Sequence, residues 1–139
     1  MSLRALPLLI FAFIAYNITV LFGQSIPAYE VLAKPIFTVP MIRGSVKWPF
    51  TLGDLLILLT MILLFIELIK STYTSSLQMI DHGLSMLVFI ACLVEFLLVD
   101  RAATSVFFFI MVAALIDVVA GAMIGIRTAR RDLNIGGDA

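Results

Sequence analysis

Three carboxylic acids stand inside apolar stretches of this sequence, and they are the side chains best placed to do chemistry. Glu67, Glu95 and Asp117 each interrupt a run of apolar residues long enough to form a helix. A charged carboxylate is costly in hydrocarbon, so such acids face protein or water and often mark proton or ion pathways. The same acids also hold neighbouring helices together through hydrogen bonds. The residues alone leave both interpretations open.

Other polar residues lie at the ends of the same apolar runs and are predicted to sit at a membrane edge. Lys70 follows Glu67 by three residues, so the two share a helix face and can pair. Arg101 is expected to pair with Glu95 in the same way. Counting 100° per residue, one polar stripe joins Asp81, Ser85, Cys92 and Glu95. The complete predicted set of membrane-edge residues is Lys70, Asp81, His82, Asp100 and Arg101.

Composition indicates what must position these side chains. Hydrophobic residues make up 63% of the 139 residues and charged residues 13%, against roughly 25% charged residues in ordinary soluble domains. About 20 apolar residues span a hydrocarbon core. The sequence therefore predicts an all-α integral membrane protein, a bundle of four transmembrane helices in one domain over residues 1–132. The helices are expected at about 5–23, 52–70, 82–99 and 102–126, followed by a disordered tail at 133–139.

The first apolar run is interpreted as a retained helix rather than a secretory signal peptide, because it is long for a signal and no clear cleavage site follows it. Residues 24–51 form a short extramembrane segment between the first two helices. Ile36–Met41 and Ser45–Thr51 flank Arg43-Gly44, which predicts a β-hairpin with glycine in its turn. Trp48 and Phe50 suit the headgroup level of a membrane. We expect this segment to cap the helix ends, with a binding lid as the alternative.

Small residues and a capping motif add detail to the helices. Thr51 and Asp54 are spaced as a capping box at the start of the second helix. Gly121 and Gly125 lie on the same ridge of the last helix as Asp117, which predicts a close helix–helix contact there.

Basic residues set the predicted orientation. Arg127, Arg130 and Arg131 follow the last span directly, and positive charge favours the cytoplasmic side. Both termini are therefore placed in the cytoplasm, in a bacterial inner membrane. Counted from these edges at ~1.5 Å per residue, Glu67 lies ~5 Å deep, Glu95 ~8 Å from the outer edge and Asp117 ~15 Å deep, near the midplane.

Several function classes find no support in the residues. Nine basic and nine acidic residues cancel, so no net field attracts nucleic acid. One cysteine and one histidine cannot build a thiolate or histidine-rich metal cage within one chain. Phosphate-loop, metalloprotease and serine-elbow motifs are absent from the sequence. We expect no enzyme activity, no cofactor and no metal.

Short motifs spread over nearly the whole chain resemble those of known membrane proteins. They are Phe65–Lys70, Asp81-His82-Gly83, Leu93–Asp100, Asp117–Gly121 and Ala129–Asp132. The set resembles a group of small four-span inner-membrane proteins of α-proteobacteria for which no activity is established. The layout is more loosely similar to the phosphate-starvation-inducible PsiE family, which also has four spans. These resemblances imply the fold rather than a function, and the long segment at 24–51 departs from them.

Two functions follow as expectations. The first is a structural or accessory membrane protein that assembles through helix contacts, as an oligomer or as a subunit of a larger complex. Its partners are membrane lipids and either a second copy or another membrane protein. The alternative is a small homo-oligomeric proton-coupled transporter or ion channel that uses the intramembrane acids.

Overall fold

The computed structural model describes residues 6–22, 25–73 and 78–135 of the chain. Within these ranges it is mostly helical, with one small sheet. In chain order the elements are α1 (Leu9–Phe22), α2 (Ala28–Leu32), β1 (Pro35–Pro40), β2 (Lys47–Thr51), α3 (Leu52–Ser71), α4 (Gln78–Leu98), a 3₁₀ turn (Asp100–Ala102) and α5 (Ser105–Ile135).

Three of the helices are long and apolar enough to cross a membrane. The qualifying stretches are Leu52–Ser71, Met79–Leu98 and Ser105–Arg131. The start of α3 is fixed by the predicted capping box, because the Thr51 hydroxyl accepts from the Asp54 N–H and the Asp54 carboxylate accepts from the Thr51 N–H. That arrangement satisfies N–H groups that the first helical turn leaves without intrahelical partners.

The first helix is shorter than predicted. α1 has 14 residues, which is ~21 Å of helix and less than the ~30 Å of a hydrocarbon core. The expected helix at 5–23 therefore loses its first residues, because Pro7 has no N–H to donate and fits only at the start of a helix. Residues 5 and 23 of that prediction lie outside the described residues.

The last helix is longer than predicted. α5 has 31 residues and continues past the expected end at 126 into the stretch predicted as a tail. Residues such as Ala129, Arg130 and Leu133 are good helix formers, so the helix continues after its apolar part ends. The rest of the predicted tail, residues 136–139, lies outside the described residues. α4 also begins earlier than expected, at Gln78 rather than 82.

The larger of two hydrophobic cores among the described residues joins α1, α3, α4 and α5. Its centre is Phe107, which is fully buried and packs against the ring of Tyr16 with centroids 4.8 Å apart. Cys92 and Ile110 are also fully buried in this core. The sequence shows these positions only as apolar residues among many, so the centre of the core becomes visible only in the structure.

The segment between α1 and α3 divides into two parts. In α2, Ala28, Val31 and Leu32 are buried against the helices, so α2 covers the helix ends as a cap. The predicted hairpin is present as an antiparallel pair of β1 and β2, and Gly44 takes the positive φ of 71° that its turn needs. The hairpin itself is largely exposed, so the expected cap is limited to α2.

Candidate functional site

An ion-paired lysine stands where α3 ends and α4 begins. Lys70 Nζ lies 2.6 Å from Glu67 Oε1 and 2.9 Å from Asp81 Oδ1. The Glu67 side chain is 1% exposed, so its charge is removed from solvent. A buried acid is tolerated when a cation and hydrogen bonds compensate it, and Lys70 supplies the cation for both acids. The structure thus contains the predicted Lys70–Glu67 pair and adds Asp81 to it.

The backbone at the start of α1 completes this group. The Leu6 carbonyl accepts a hydrogen bond from Lys70 Nζ at 2.9 Å, and the Leu8 N–H donates to Glu67 Oε2 at 2.9 Å. The Leu8 contact suits a helix start, where N–H groups lack intrahelical acceptors and negative charge is favoured. The Leu6 carbonyl gives the Lys70 ammonium group a further acceptor. We call Glu67, Lys70 and Asp81 the Lys70 cluster; together they connect α1, α3 and α4.

A small polar cavity adjoins the Lys70 cluster. It has a volume of about 20 Å³, which is room for about one water molecule. Asp117 and Ser85 are each 4% exposed, and the Ser85 hydroxyl is a hydrogen-bond partner of the Asp117 carboxylate. We call this the Asp117 cavity, and its lining residues are Ser71, Asp81, His82, Ser85, Asp117 and Gly121.

The missing side chain of Gly121 makes room for His82. A Cβ atom built on Gly121 would lie 2.9 Å from His82 Nδ1, closer than side chains approach one another. Gly121 therefore makes a close contact with an imidazole, whereas the prediction was the close approach of a neighbouring helix. His82, which was predicted only as a membrane-edge residue, lines the cavity that contains Asp117.

The other end of the helices holds a second polar group around Arg101. Arg101 Nη2 donates to the carbonyls of Val20 at 2.8 Å and Ile26 at 3.0 Å. The Tyr16 hydroxyl donates to the Arg101 carbonyl at 2.8 Å and lies 2.7 Å from the Thr104 hydroxyl. Since the Tyr16 proton goes to the carbonyl, Thr104 donates to Tyr16. The group binds the end of α1 to the start of α5.

Glu95 has a different partner from the one predicted. Asn17 Nδ2 donates to Glu95 Oε2 at 3.2 Å, whereas the Arg101 guanidinium contacts backbone carbonyls. The reason is that the last carbonyls of α1 have no intrahelical donors, and a cation near a helix C-terminus is favoured there. We call Tyr16, Asn17, Glu95, Arg101 and Thr104 the Arg101 cluster.

The acids do not form a ladder through the molecule. Ser71, the last residue of α3, lines the same cavity as Asp117, so Asp117 lies level with the end of α3 and at the same end as Glu67. The expectation of three separate depths is not met. Among the described residues, the buried side chains between this end and Glu95 are Leu9, Ala12, Leu56, Thr60, Val88, Cys92, Phe107, Ile110, Ala113 and Ala114. Thr60 is the polar one, and its hydroxyl donates to the Leu56 carbonyl of its own helix.

The remaining predicted residues lie away from both clusters. Asp100 is exposed in the 3₁₀ turn, and Arg127, Arg130 and Arg131 are exposed on the last turns of α5. Among the residues that the structure describes, no atom lies within 4 Å of a Cβ built on Gly125, so Gly125 makes no close helix contact within this chain.

The side chains around the Asp117 cavity and in the two clusters can form hydrogen bonds and exchange protons. Across residues 6–22, 25–73 and 78–135, no group of three His, Cys, Asp or Glu side chains is placed to hold a metal ion. The Asp117 cavity brings together an imidazole, two carboxyl groups and two hydroxyls, which can share protons through one water.

Sequence reasoning missed several members of these clusters. The carbonyl and N–H groups of Leu6 and Leu8 have no sequence signature, because every residue carries them. Tyr16 and Thr104 could have been found, since a tyrosine on the buried face of a helix needs a partner for its hydroxyl.

Comparisons of the chain with protein-family models, with curated proteins and with solved structures gave no match.

Proposed function

We propose that this chain is a small integral inner-membrane protein with a structural or accessory role, which assembles through helix contacts with a second copy or with another membrane protein. The observation that carries the proposal is the separation of its polar groups. Each cluster joins helices through paired or hydrogen-bonded groups, and the buried side chains that the structure describes between the clusters are apolar apart from Thr60. Groups arranged in this way stabilise a bundle, and the described residues offer an ion no continuous polar route between the clusters.

Four membrane crossings are part of this proposal. α1 itself is short, but its flanking residues reach both ends of the helices. Leu6 is bound by Lys70 where α4 begins, and Ile26 is bound by Arg101 just beyond the end of α4. The segment from Leu6 to Ile26 therefore runs the length of α4, which is one of the long apolar helices.

The proposed orientation places both termini in the cytoplasm. It rests on the basic residues at the end of α5, Arg127, Arg130 and Arg131, which favour the cytoplasmic side. Arg43→Cys should be labelled only from the periplasmic side of sealed vesicles and Arg130→Cys only from the cytoplasmic side. Cys92 is fully buried, so the wild type provides a low background. Labelling of position 43 from the cytoplasmic side would reverse the topology.

The assembly surface we propose includes Gly125, whose Cβ position is open in this chain. A small residue on an apolar helix lets a partner helix approach closely. Gly125→Leu should convert the assembled protein to monomers, as measured by light scattering in mild detergent and cross-linking in membranes. Gly83 is also open but lies on α4, so Gly83→Leu is the matched control and should leave the mass unchanged. Wild-type mass for Gly125→Leu would remove this surface from the proposal.

A proton-coupled transporter or ion channel is the second candidate, and the Asp117 cavity is the observation that favours it. Its imidazole and carboxyl groups can exchange a proton through one water, which a purely structural contact does not require. Liposomes containing a pH-sensitive dye test this directly. If Asp117 only binds Ser85, Asp117→Asn keeps the fold and no flux is seen in either protein. Proton flux in the wild type that Asp117→Asn abolishes, with its melting temperature unchanged, would replace the structural proposal with transport.

A further inference from the structure

The β-hairpin presents one face made only of apolar side chains. Phe37 pairs with Phe50 and Val39 pairs with Trp48 across the strands, and alternate residues of a strand point to the same side. The Met41 N–H donates to the Val46 carbonyl at 3.0 Å, which continues the pairing by one step on that side. We call this the hairpin face, and its members are Phe37, Val39, Met41, Val46, Trp48 and Phe50.

The side chains of the hairpin face pack on one another and leave much of their surface open. The rings of Phe37 and Phe50 are stacked with centroids 4.8 Å apart, and the Trp48 ring meets Phe50 edge-on at 5.8 Å. Phe37 remains 52% exposed and Trp48 47% exposed, and Ile42 at the tip is fully exposed. An exposed apolar patch of this kind marks an interaction surface.

Charge indicates what covers this face. The stretch from Ala33 to Gly53 contains three basic residues, Lys34, Arg43 and Lys47, and no acidic one. The acids that flank it are Glu30 in α2 and Asp54, whose carboxylate is used in the capping box. Aromatic rings beside basic side chains are typical of the interface of an anionic membrane.

The direct connection of the hairpin to α3 and the prolines in its strands also favour a membrane as the partner of this face. β2 ends at Thr51 and α3 begins at Leu52, so no linker separates the hairpin from an apolar helix. Pro35 and Pro40 lie at the ends of β1 and Pro49 lies within β2. Proline has no N–H for a ladder and is found where an edge strand is not extended. Pairing with a strand of a second copy is therefore disfavoured, whereas a lipid surface needs only the side chains.

We propose that the hairpin face docks on the surface of an anionic lipid bilayer, with its rings among the headgroups and its basic residues on lipid phosphates. The hairpin then lies along the membrane instead of standing away from it. This inference rests on the proposed membrane insertion of α3 but not on the proposed assembly.

Tryptophan fluorescence of the full chain in vesicles tests the proposal. Trp48 is the one tryptophan in the sequence, and a Trp48→Phe, Ile42→Trp variant moves the reporter to the tip, roughly 20 Å from Leu52 at ~3.3 Å per residue. Each protein is placed in phosphatidylcholine vesicles with and without phosphatidylglycerol, and brominated lipid or aqueous iodide is used as the quencher. A docked hairpin predicts quenching by brominated lipid at both positions and protection from iodide in the anionic vesicles.

The basic residues provide the matched control. Arg43→Gln with Lys47→Gln should lower lipid quenching of the tip reporter in anionic vesicles to its level in neutral vesicles. Each basic residue near an anionic surface contributes roughly a fivefold preference, about 1 kcal/mol. Equal quenching in both vesicle types with and without these substitutions would overturn the charge part of the proposal.

Two other outcomes overturn the proposal as a whole. If the tip reporter is quenched by iodide and not by brominated lipid, the hairpin projects into water. If neither quencher acts and the fluorescence depends on protein concentration, a protein copy covers the face. Flotation of the protein with the vesicles separates these results from failure of membrane insertion, which would contradict the proposed function instead.

Discussion

The two ends of the helices are held together by different kinds of polar contact. At the Lys70 cluster, charged side chains from α3 and α4 face one another, and Glu67 is almost completely buried. At the Arg101 cluster, the Arg101 guanidinium meets neutral backbone carbonyls, and the Glu95 carboxyl group meets the neutral amide of Asn17. Removing one member of a buried ion pair leaves an uncompensated charge, whereas removing one neutral hydrogen bond leaves only a dipole. The Lys70 end should therefore be the more sensitive to substitution.

The strongest test of this difference is Lys70→Met. It removes the cation from Glu67 and Asp81 and the donor from the Leu6 carbonyl. Loss of a partner from a buried pair costs about 3–5 kcal/mol, so we expect a large fall in melting temperature in detergent or loss of the protein from membranes. Adding Glu67→Gln to Lys70→Met should restore part of the stability, because it removes the more deeply buried of the two uncompensated charges. A melting temperature equal to that of the wild type would show that the pair does not hold the helices.

A smaller effect is expected at the Asp117 cavity from Gly121→Ala. The new methyl group would sit 2.9 Å from His82 Nδ1, so the imidazole must move, and overpacking of this kind costs about 1–3 kcal/mol. His82→Ala in the same protein should remove the difference between glycine and alanine at position 121, as measured by thermal unfolding in detergent.

The matched control for that substitution is Gly83→Ala, on α4 and outside the proposed assembly surface. Its Cβ position is open among the described residues, so we expect no loss of stability there. Equal destabilisation at both glycines would mean that backbone flexibility, rather than the His82 contact, explains the effect.

The smallest of the three effects is expected at the Arg101 end from Tyr16→Phe. The change keeps the ring against Phe107 and removes the hydroxyl that binds the Arg101 carbonyl. One neutral hydrogen bond contributes about 1 kcal/mol, so the melting temperature should fall only slightly. A loss as large as that of Lys70→Met would contradict the contrast between the two ends.

The local parts of this fold were predictable because their signals are local. The capping box at Thr51 and Asp54, the glycine turn at Gly44 and the i,i+3 pair of Glu67 and Lys70 each depend on residues close in sequence. The start of α3 at Leu52 was also predictable, because a polar capping residue is followed there by an apolar run. In these places the residues that form the sequence pattern are the same residues that contact one another in the structure.

The site as a whole was not predictable, because it depends on how helices align. Asp117 was counted as deep from Arg127, but α5 continues to Ile135, so the arginine does not mark the helix end. The partner of Arg101 was missed because backbone carbonyls are present at every residue and carry no sequence signal. Which carbonyls become available is decided by where α1 ends, and that is a property of the folded chain.

The contacts of α1 also determine when, during synthesis, this helix can be secured. Its first residues bind Glu67 and Lys70, which follow 59 and 64 residues later, and its last turn binds Arg101, which follows 81 residues later. A ribosome adds about 5–20 residues per second, so the end of α1 waits roughly 4–16 s for Arg101 to be made. Until then the hydrogen bond between the Val20 carbonyl and Arg101 cannot form. α1 is therefore made well before the residues that secure its two ends.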